Sequence, residues 1–380
     1  MNPAREFRCF LHRLGHCVCG LWLLFVMPAA ACQVPVFRYA LERWPADPYR
    51  LLIVADPASE LSAEQQAAVA TAVSLDHVNL VVRLVLPDEV EWPAEAEPGV
   101  LPLLALQYPA AMLRDEIIWS APLNRNQLER LLDSPARRAL ATRALAGETA
   151  VWVLLESGDA AADRRTFDEL RRHLDTAESE LVLPEGVIGK GHELPEGGDP
   201  ENELQSEIPL QLKFSTVRIG LDDPDESAFR AMLLRSEPGL DQQGRGPLVF
   251  AMFGQGRTLP ALFAADLSEE SVVFGCNYLC GACSCQVKRE NPGFDLLLNC
   301  DWHAALAGIG SAIPEKILPP LSGVILPATA ERGLASEDAD SSVGAGSRNI
   351  KARPFLWLFV VLGLVLLGVG VATVRVLRRS

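Results

Sequence analysis

Short apolar runs alternate with amphipathic stretches along most of the chain, and that alternation predicts its elements. YRLLIVAD at 49–56 is apolar almost throughout, which suits a strand buried on both faces. SAEQQAAVATAV at 62–73 predicts a helix, with Ser62 as N-cap and Glu64 in its first turn. VNLVVRLVL (78–86) predicts a second strand. LPLLALQY (101–108) and DEIIWSAPL (115–123) predict an antiparallel pair, and NRNQLERLLDS (124–134) a closing helix. The order then recurs. VWVLLESGD (151–159) is a strand, and DRRTFDELRRHLDTA (163–177) a helix with Phe167, Leu170 and Leu174 on one side. LKFSTVRIGL (212–221) is a strand and DESAFRAMLLRSE (225–237) a helix. GPLVFAMFGQGRTLPALF (246–263) is a hairpin turning at 254–256, and SEESVVFGCNYLCG (268–281) a last helix. Apolar strands joined by helices predict an α/β fold whose sheets are covered on both faces. Ahead of the first strand, PVFRYALERW puts Phe37, Leu41 and Trp44 at helical spacing, the pattern of a helix packed on the body.

The two ends break the alternation. Arg5, Arg8 and Arg13 precede the apolar run LWLLFVMPAAA (21–31), so residues 1–31 predict a secretory signal peptide. Ala29-Ala30-Ala31-Cys32 has the form of a bacterial lipobox, which makes Cys32 the candidate lipidation site. Near the other end, FLWLFVVLGLVLLGVGVAT (355–373) carries no charge and is long enough for a bilayer core of about 30 Å. It predicts one transmembrane helix over 354–376. Arg378 and Arg379 in the tail (377–380), with Arg375 just before it, keep that end cytoplasmic. The expected location is the bacterial inner membrane, with the body on the periplasmic side.

Between the ends lie two expected domains, 32–140 and 150–312. The second contains an acidic, Gly/Pro-rich loop at 184–206, and a small, polar linker follows at 320–351. Charge narrows the partners. The chain carries −15 in all; residues 1–31 hold +2 and residues 351–380 hold +5, which leaves −22 for the body. So acidic a surface argues against nucleic acid and reads first as solubility; the anchored body makes the membrane, and a membrane protein complex, the expected partners.

Strand-helix-strand-helix, a proline-led hairpin and a helix resemble the thioredoxin-like fold, with Pro247 and Pro102 each opening the strand that a cis-proline opens in that fold. The expectation is therefore two tandem thioredoxin-like domains plus one C-terminal transmembrane helix. A second resemblance rests on CQVPVFRYALERW, FGQGR and CSCQVKRENPG, which look like the motifs of a family of uncharacterised bacterial exported proteins. That resemblance implies no activity. A catalytic thioredoxin would carry Cys-x-x-Cys after the first strand, where a helix N-terminus lowers a thiol pKa. Here those positions read PASELSAEQ (57–65) and SGDAAADRR (157–165), with no cysteine. G-x-S-x-G and G-x-x-x-x-G-K are absent too, and Pro195 spoils the metalloprotease pattern begun at His192-Glu193.

The remaining candidate chemistry is CNYLCGACSCQV, four cysteines in ten positions from Cys276 to Cys285. Cys276 and Cys280 share a helix face at about 5–6 Å between Cβ atoms, too far for a disulfide. Cys283 and Cys285 span a turn and form the candidate redox pair. Cys276, Cys280, Cys283, Cys285 and Cys300, with His303, form a candidate metal set of the kind that takes zinc or copper, although the spacing is not that of a standard zinc module. No cofactor motif is present. Structural disulfides, redox chemistry, metal or haem handling and inert buried thiols stand as the alternatives for the cluster. The expected function is a membrane-anchored binding or assembly module; the alternative is a thiol-disulfide oxidoreductase or a metal-handling protein using the Cys276–Cys285 cluster.

Overall fold

A computed structural model describes residues 32–308, apart from 57–59, 93–99, 197 and 242–245. The expected signal peptide, linker, transmembrane helix and tail lie outside the described residues. Among the described residues, no helix is long and apolar enough to cross a membrane.

The first half opens with α1 (Val36–Arg43) and runs β1 (Tyr49–Val54), α2 (Ala63–Ser74), β2 (Leu80–Val85), β3 (Leu103–Gln107), β4 (Ile117–Pro122), α3 (Arg125–Leu132) and α4 (Pro135–Leu145). Its sheet has the order β2-β1-β3-β4. Strand β1 is parallel to β2 and antiparallel to β3, and β4 is antiparallel to β3. The second half runs β5 (Ala150–Leu155), α5 (Ala160–Glu180), β6 (Phe214–Ile219), α6 (Ser227–Leu234), β7 (Leu248–Phe253), β8 (Arg257–Thr258), β9 (Leu262–Phe263), α7 (Glu269–Cys280), β10 (Phe294–Asp295) and α8 (Trp302–Ala307). Its sheet has the order β10-β8-β7-β5-β6, with β9 paired to β7. Strand β5 is parallel to β6 and antiparallel to β7. The fold is thus mixed α/β with two sheets.

The predicted elements are present with shifted ends. Helix α2 starts where Ser62 and Gln65 form a reciprocal capping box, and α7 starts at Ser268 with Glu269 and Glu270 in its first turn. Helix α4 was not predicted. Its signals are Ser134 as N-cap and Pro135 at the first helical position, and Ser134 Oγ accepts from the Arg137 amide. Between β2 and β3 the described residues form only a single 3-10 turn, Pro87–Glu89. Strand β2, at the edge of the sheet, is poorly covered, with Val81 46 % exposed on the outer face and Leu84 68 % exposed on the other, so the first sheet departs from the expected cover on both faces. The cis peptide among the described residues precedes Pro102, not Pro247.

Side-chain alternation of period two explains the layers. Val151, Val153 and Leu155 of β5 join Tyr49, Leu51 and Ile53 of β1 in one core that passes through α3, α4 and α6. The other side of the second sheet, Trp152 and Leu154 with Val249, Ala251 and Phe253, packs under α1, α5 and α7. A small third cluster, including Leu52, Val54 and Leu103, lies on the outer face of the first sheet. One core therefore spans both expected domains. Helix α1 precedes the first sheet in sequence but packs against α7 and β7 of the second half.

Candidate functional site

Three sequence motifs converge at the end of α7. Helix α1 lies in a cradle made by the loop at 184–206 and the residues just after it. Arg38 is fully buried; its Nε is 3.0 Å from Glu42 Oε1, and its Nη2 donates to Ile208 O at 2.6 Å and Ser206 Oγ at 3.0 Å. Glu42 accepts from the Gln205 amide at 2.9 Å and from the Ser206 amide at 3.0 Å. Among its described residues the loop has no regular element beyond the 3-10 turn Pro200–Asn202 and one bridge, Ile188 to Glu203, yet it supplies the groups that hold a buried ion pair.

The FGQGR turn docks on the same helix. Gln255 Nε2 donates to Leu41 O at 2.8 Å. Arg257 donates to Asn291 O at 2.6 Å and Pro292 O at 3.1 Å, and lies 3.3 Å from Asp295 Oδ1. Asp295 is 3 % exposed and also takes Lys288 Nζ and the Asp47 amide. Trp44 Nε1 donates to Gln286 O at 2.8 Å. These charges are paired with one another and shielded from water, so this centre fastens segments together.

The cysteines border that centre. The cysteines at 32, 276, 280, 283, 285 and 300 are free thiols. Cys276, Cys280 and Cys283 are at most 2 % exposed, whereas Cys285 is half-buried. Cys283 Sγ donates to Cys285 O at 3.3 Å. Gly281 ends α7, and the chain beyond it pairs with the segment that opens the described residues. The Val36 amide donates to Gly281 O and the Cys283 amide to Val34 O, both at 2.9 Å, around an antiparallel bridge between Pro35 and Ala282. This pairing brings Cys32, 5 % exposed, into the same packed cluster as Cys276, Cys280 and Cys283. Sequence reasoning missed it, because two strands 247 residues apart in register leave no local signal.

Cys300 belongs to the other core, and His303 is exposed on α8. The candidate metal set is thus divided between two cores. Among the described residues, no three His, Cys, Asp or Glu side chains converge as a group that could hold an ion.

Burial controls the thiols. It pushes Cys280, Cys283 and Cys300 up to about 12, with the charges of Cys32 and Cys285 adding to the effect at Cys283, and it raises Cys276 further. At Cys283 burial outweighs the nearby Arg43 charge, and a buried thiol raised in this way is inert. Tyr49 and Tyr108 are raised by burial as well. Unfolded chains release thiol protons from about pH 8.5 and phenol protons from about pH 10, while the folded protein retains them. Above pH 9 the unfolded state therefore binds fewer protons, and stability falls as pH rises toward 12. The urea midpoint under reducing conditions is expected to drop steadily from pH 9 to 11; a flat profile would contradict the burial of these groups.

After β5 the chain continues through Ser157-Gly158-Asp159 into α5. Asp159 caps α5 by accepting from the amides of Ala161 and Ala162, and Asp163, 3 % exposed, accepts from the Ser157 amide at 2.8 Å. Beside α7 lies an apolar pocket of about 340 Å³, floored by Trp152 and Gly275 and walled by Leu259, Pro260 and Tyr278, with Phe274 75 % exposed on its lining. No family model matches the chain, and no curated protein matches it either.

Proposed function

We propose that this chain is a membrane-anchored binding or assembly module whose body stands on the periplasmic side of a bacterial inner membrane, and whose two halves are thioredoxin-like units without thioredoxin catalysis. The observation that carries the reading is a pairing order found twice. In each half a parallel strand pair is joined through a helix, and the third strand enters antiparallel beside the first. The helix after the first strand of the second half is capped by an aspartate where a catalytic unit would hold a thiol. Burial raises the thiols of Cys276, Cys280, Cys283 and Cys300, the reverse of an activated nucleophile. A fold without its catalytic groups offers surfaces and pockets. The apolar run at 355–373 supplies the anchor, and the body charge of −22 turns the partner away from nucleic acid.

One observation favours the alternative, a thiol-disulfide oxidoreductase: Cys285 is half-buried and adjoins the Cys283 thiol. Replacing both with serine in the full chain separates the two readings. A binding module keeps its migration on native gels of gently solubilised membranes and has no disulfide-exchange turnover to lose. An oxidoreductase loses its turnover completely while its fold persists. Protease accessibility in spheroplasts tests the placement of the body.

A further inference from the structure

We propose that Cys32 and Cys283 are disulfide partners, so that the segment leading into α1 is covalently fastened to the end of α7. The proposal rests on the periplasmic placement above, because that compartment sustains disulfides.

The geometry begins with the bridge between Pro35 and Ala282. In this register Val34 lies opposite Cys283, and Cys283 donates its amide to Val34 O at 2.9 Å. Cross-strand partners share a face, and side chains two residues apart share it too. Although the chain bends at Val34, Cys32 stays in the packed cluster that holds Cys283, close to the diagonal position. Diagonal neighbours stand about 7–8 Å apart between Cα atoms, and a disulfide closes at up to about 6.8 Å. The shortfall is about 1 Å. It falls on residues 32 and 33, beyond the last ladder bond, where the Gln33 amide donates to Asn202 Oδ1 at 2.6 Å.

Both sulfurs are ready for this change. Cys32 Sγ has one long contact, 3.6 Å to Glu201 O, and Cys283 Sγ one at 3.3 Å to Cys285 O. Each is a weak bond to a carbonyl with a second lone pair, so losing it costs little. Cys285 is opposite Cys32 by extrapolation of the register, but the ladder ends before reaching it, and its side chain is outside the packed cluster that holds Cys32 and Cys283. A thiolate at Cys32 weighs more on Cys283 than one at Cys285 does. A thiol 5 % exposed is also poorly placed to carry the diacylglyceryl group of a lipoprotein, which a disulfide at Cys32 would preclude.

The oxidant is a disulfide-bearing exchange partner. One thiolate attacks its S–S bond and forms a mixed disulfide. The second thiolate displaces the partner, now a dithiol. Two S–H bonds are lost and one S–S bond forms; the protons and the electron pair leave on the two thiols of the reduced partner.

The test uses the full chain. Cells expressing it are quenched in acid, free thiols are blocked with N-ethylmaleimide, and a non-reducing digest of the membranes is mapped by mass. The expected result is one peptide linked through Cys32 and Cys283, retained in Cys285→Ser, with free Cys276, Cys280 and Cys300. A second arm takes the purified, reduced protein through a series of glutathione redox buffers. A link that forms there but is missing in cells supports the pairing and overturns the periplasmic placement. A Cys283–Cys285 or Cys32–Cys285 link, a diacylglyceryl mass on Cys32, or free thiols in both arms overturns the pairing.

Discussion

Arg38→Ala is expected to lower the unfolding free energy of the body by about 3–5 kcal/mol, the range for breaking a buried ion pair by removing one partner. Arg38 is fully buried, and besides Glu42 it serves the carbonyls of Ser206, Ile208 and Pro209. Its loss leaves a carboxylate at 8 % exposure with only the longer Arg43 contact at 3.7 Å and strands those acceptors. Lysine should not rescue the site, since one ammonium cannot reproduce the planar fork that reaches several acceptors at once. Urea unfolding of wild type, Arg38→Ala, Glu42→Ala and the double variant checks this. The double variant should be less destabilised than the two single losses together, because the surviving charge is then absent as well. A loss under about 1 kcal/mol for Arg38→Ala would mean that α1 is not held by this pair.

Gly254→Ala is the second large effect, on the order of 2–4 kcal/mol, combining a left-handed backbone with overpacking. Gly254 has φ +59°, and a Cβ there would lie 2.7 Å from Ala40 Cβ and 3.1 Å from the Ala40 carbonyl carbon. Neither of those atoms is the end of a flexible side chain, so the turn or the helix must move. Because the turn also presents Gln255 to Leu41 O, the substitution should release α1 and not only soften the hairpin. Hydrogen exchange reports this directly: amides of α1 should lose protection together, while those of β1 and β3 keep theirs. Protection lost evenly across both sheets would instead indicate global destabilisation.

Both predictions concern motifs that could be read in the sequence as strings but not as neighbours. PVFRYALERW was legible as a helix, and Phe37, Leu41 and Trp44 are buried as its spacing required. That Arg38 and Glu42 are buried too was not legible, because an i,i+4 Arg–Glu pair reads equally well as a solvated face. The stretch at 184–206 read as an acidic loop from its Gly and Pro content. Its second task, supplying Gln205 and Ser206 to Glu42, depends on a helix more than 160 residues earlier. Helix α4 could have been found from Ser134 and Pro135 alone. In contrast, the exposure of β2 has no signal, because VNLVVRLVL is as apolar as a covered strand.

The cysteines divide the same way. Their density, the shared face of Cys276 and Cys280, and the end of the helix at Gly281 follow from spacing and from the loss of a Cβ, which are local properties. By itself the sequence determined the main strand and helix order of both halves, though not α4, β10 or α8, together with the acidic body and the absence of Cys-x-x-Cys after either first strand. Only the tertiary structure decided that Cys32 joins Cys283 in one packed cluster, that Cys300 and His303 belong elsewhere, and that one core runs through both halves. The reason is physical: hydrophobic periodicity specifies which face of an element is buried, but the partner that covers it is chosen by packing between residues far apart in the chain.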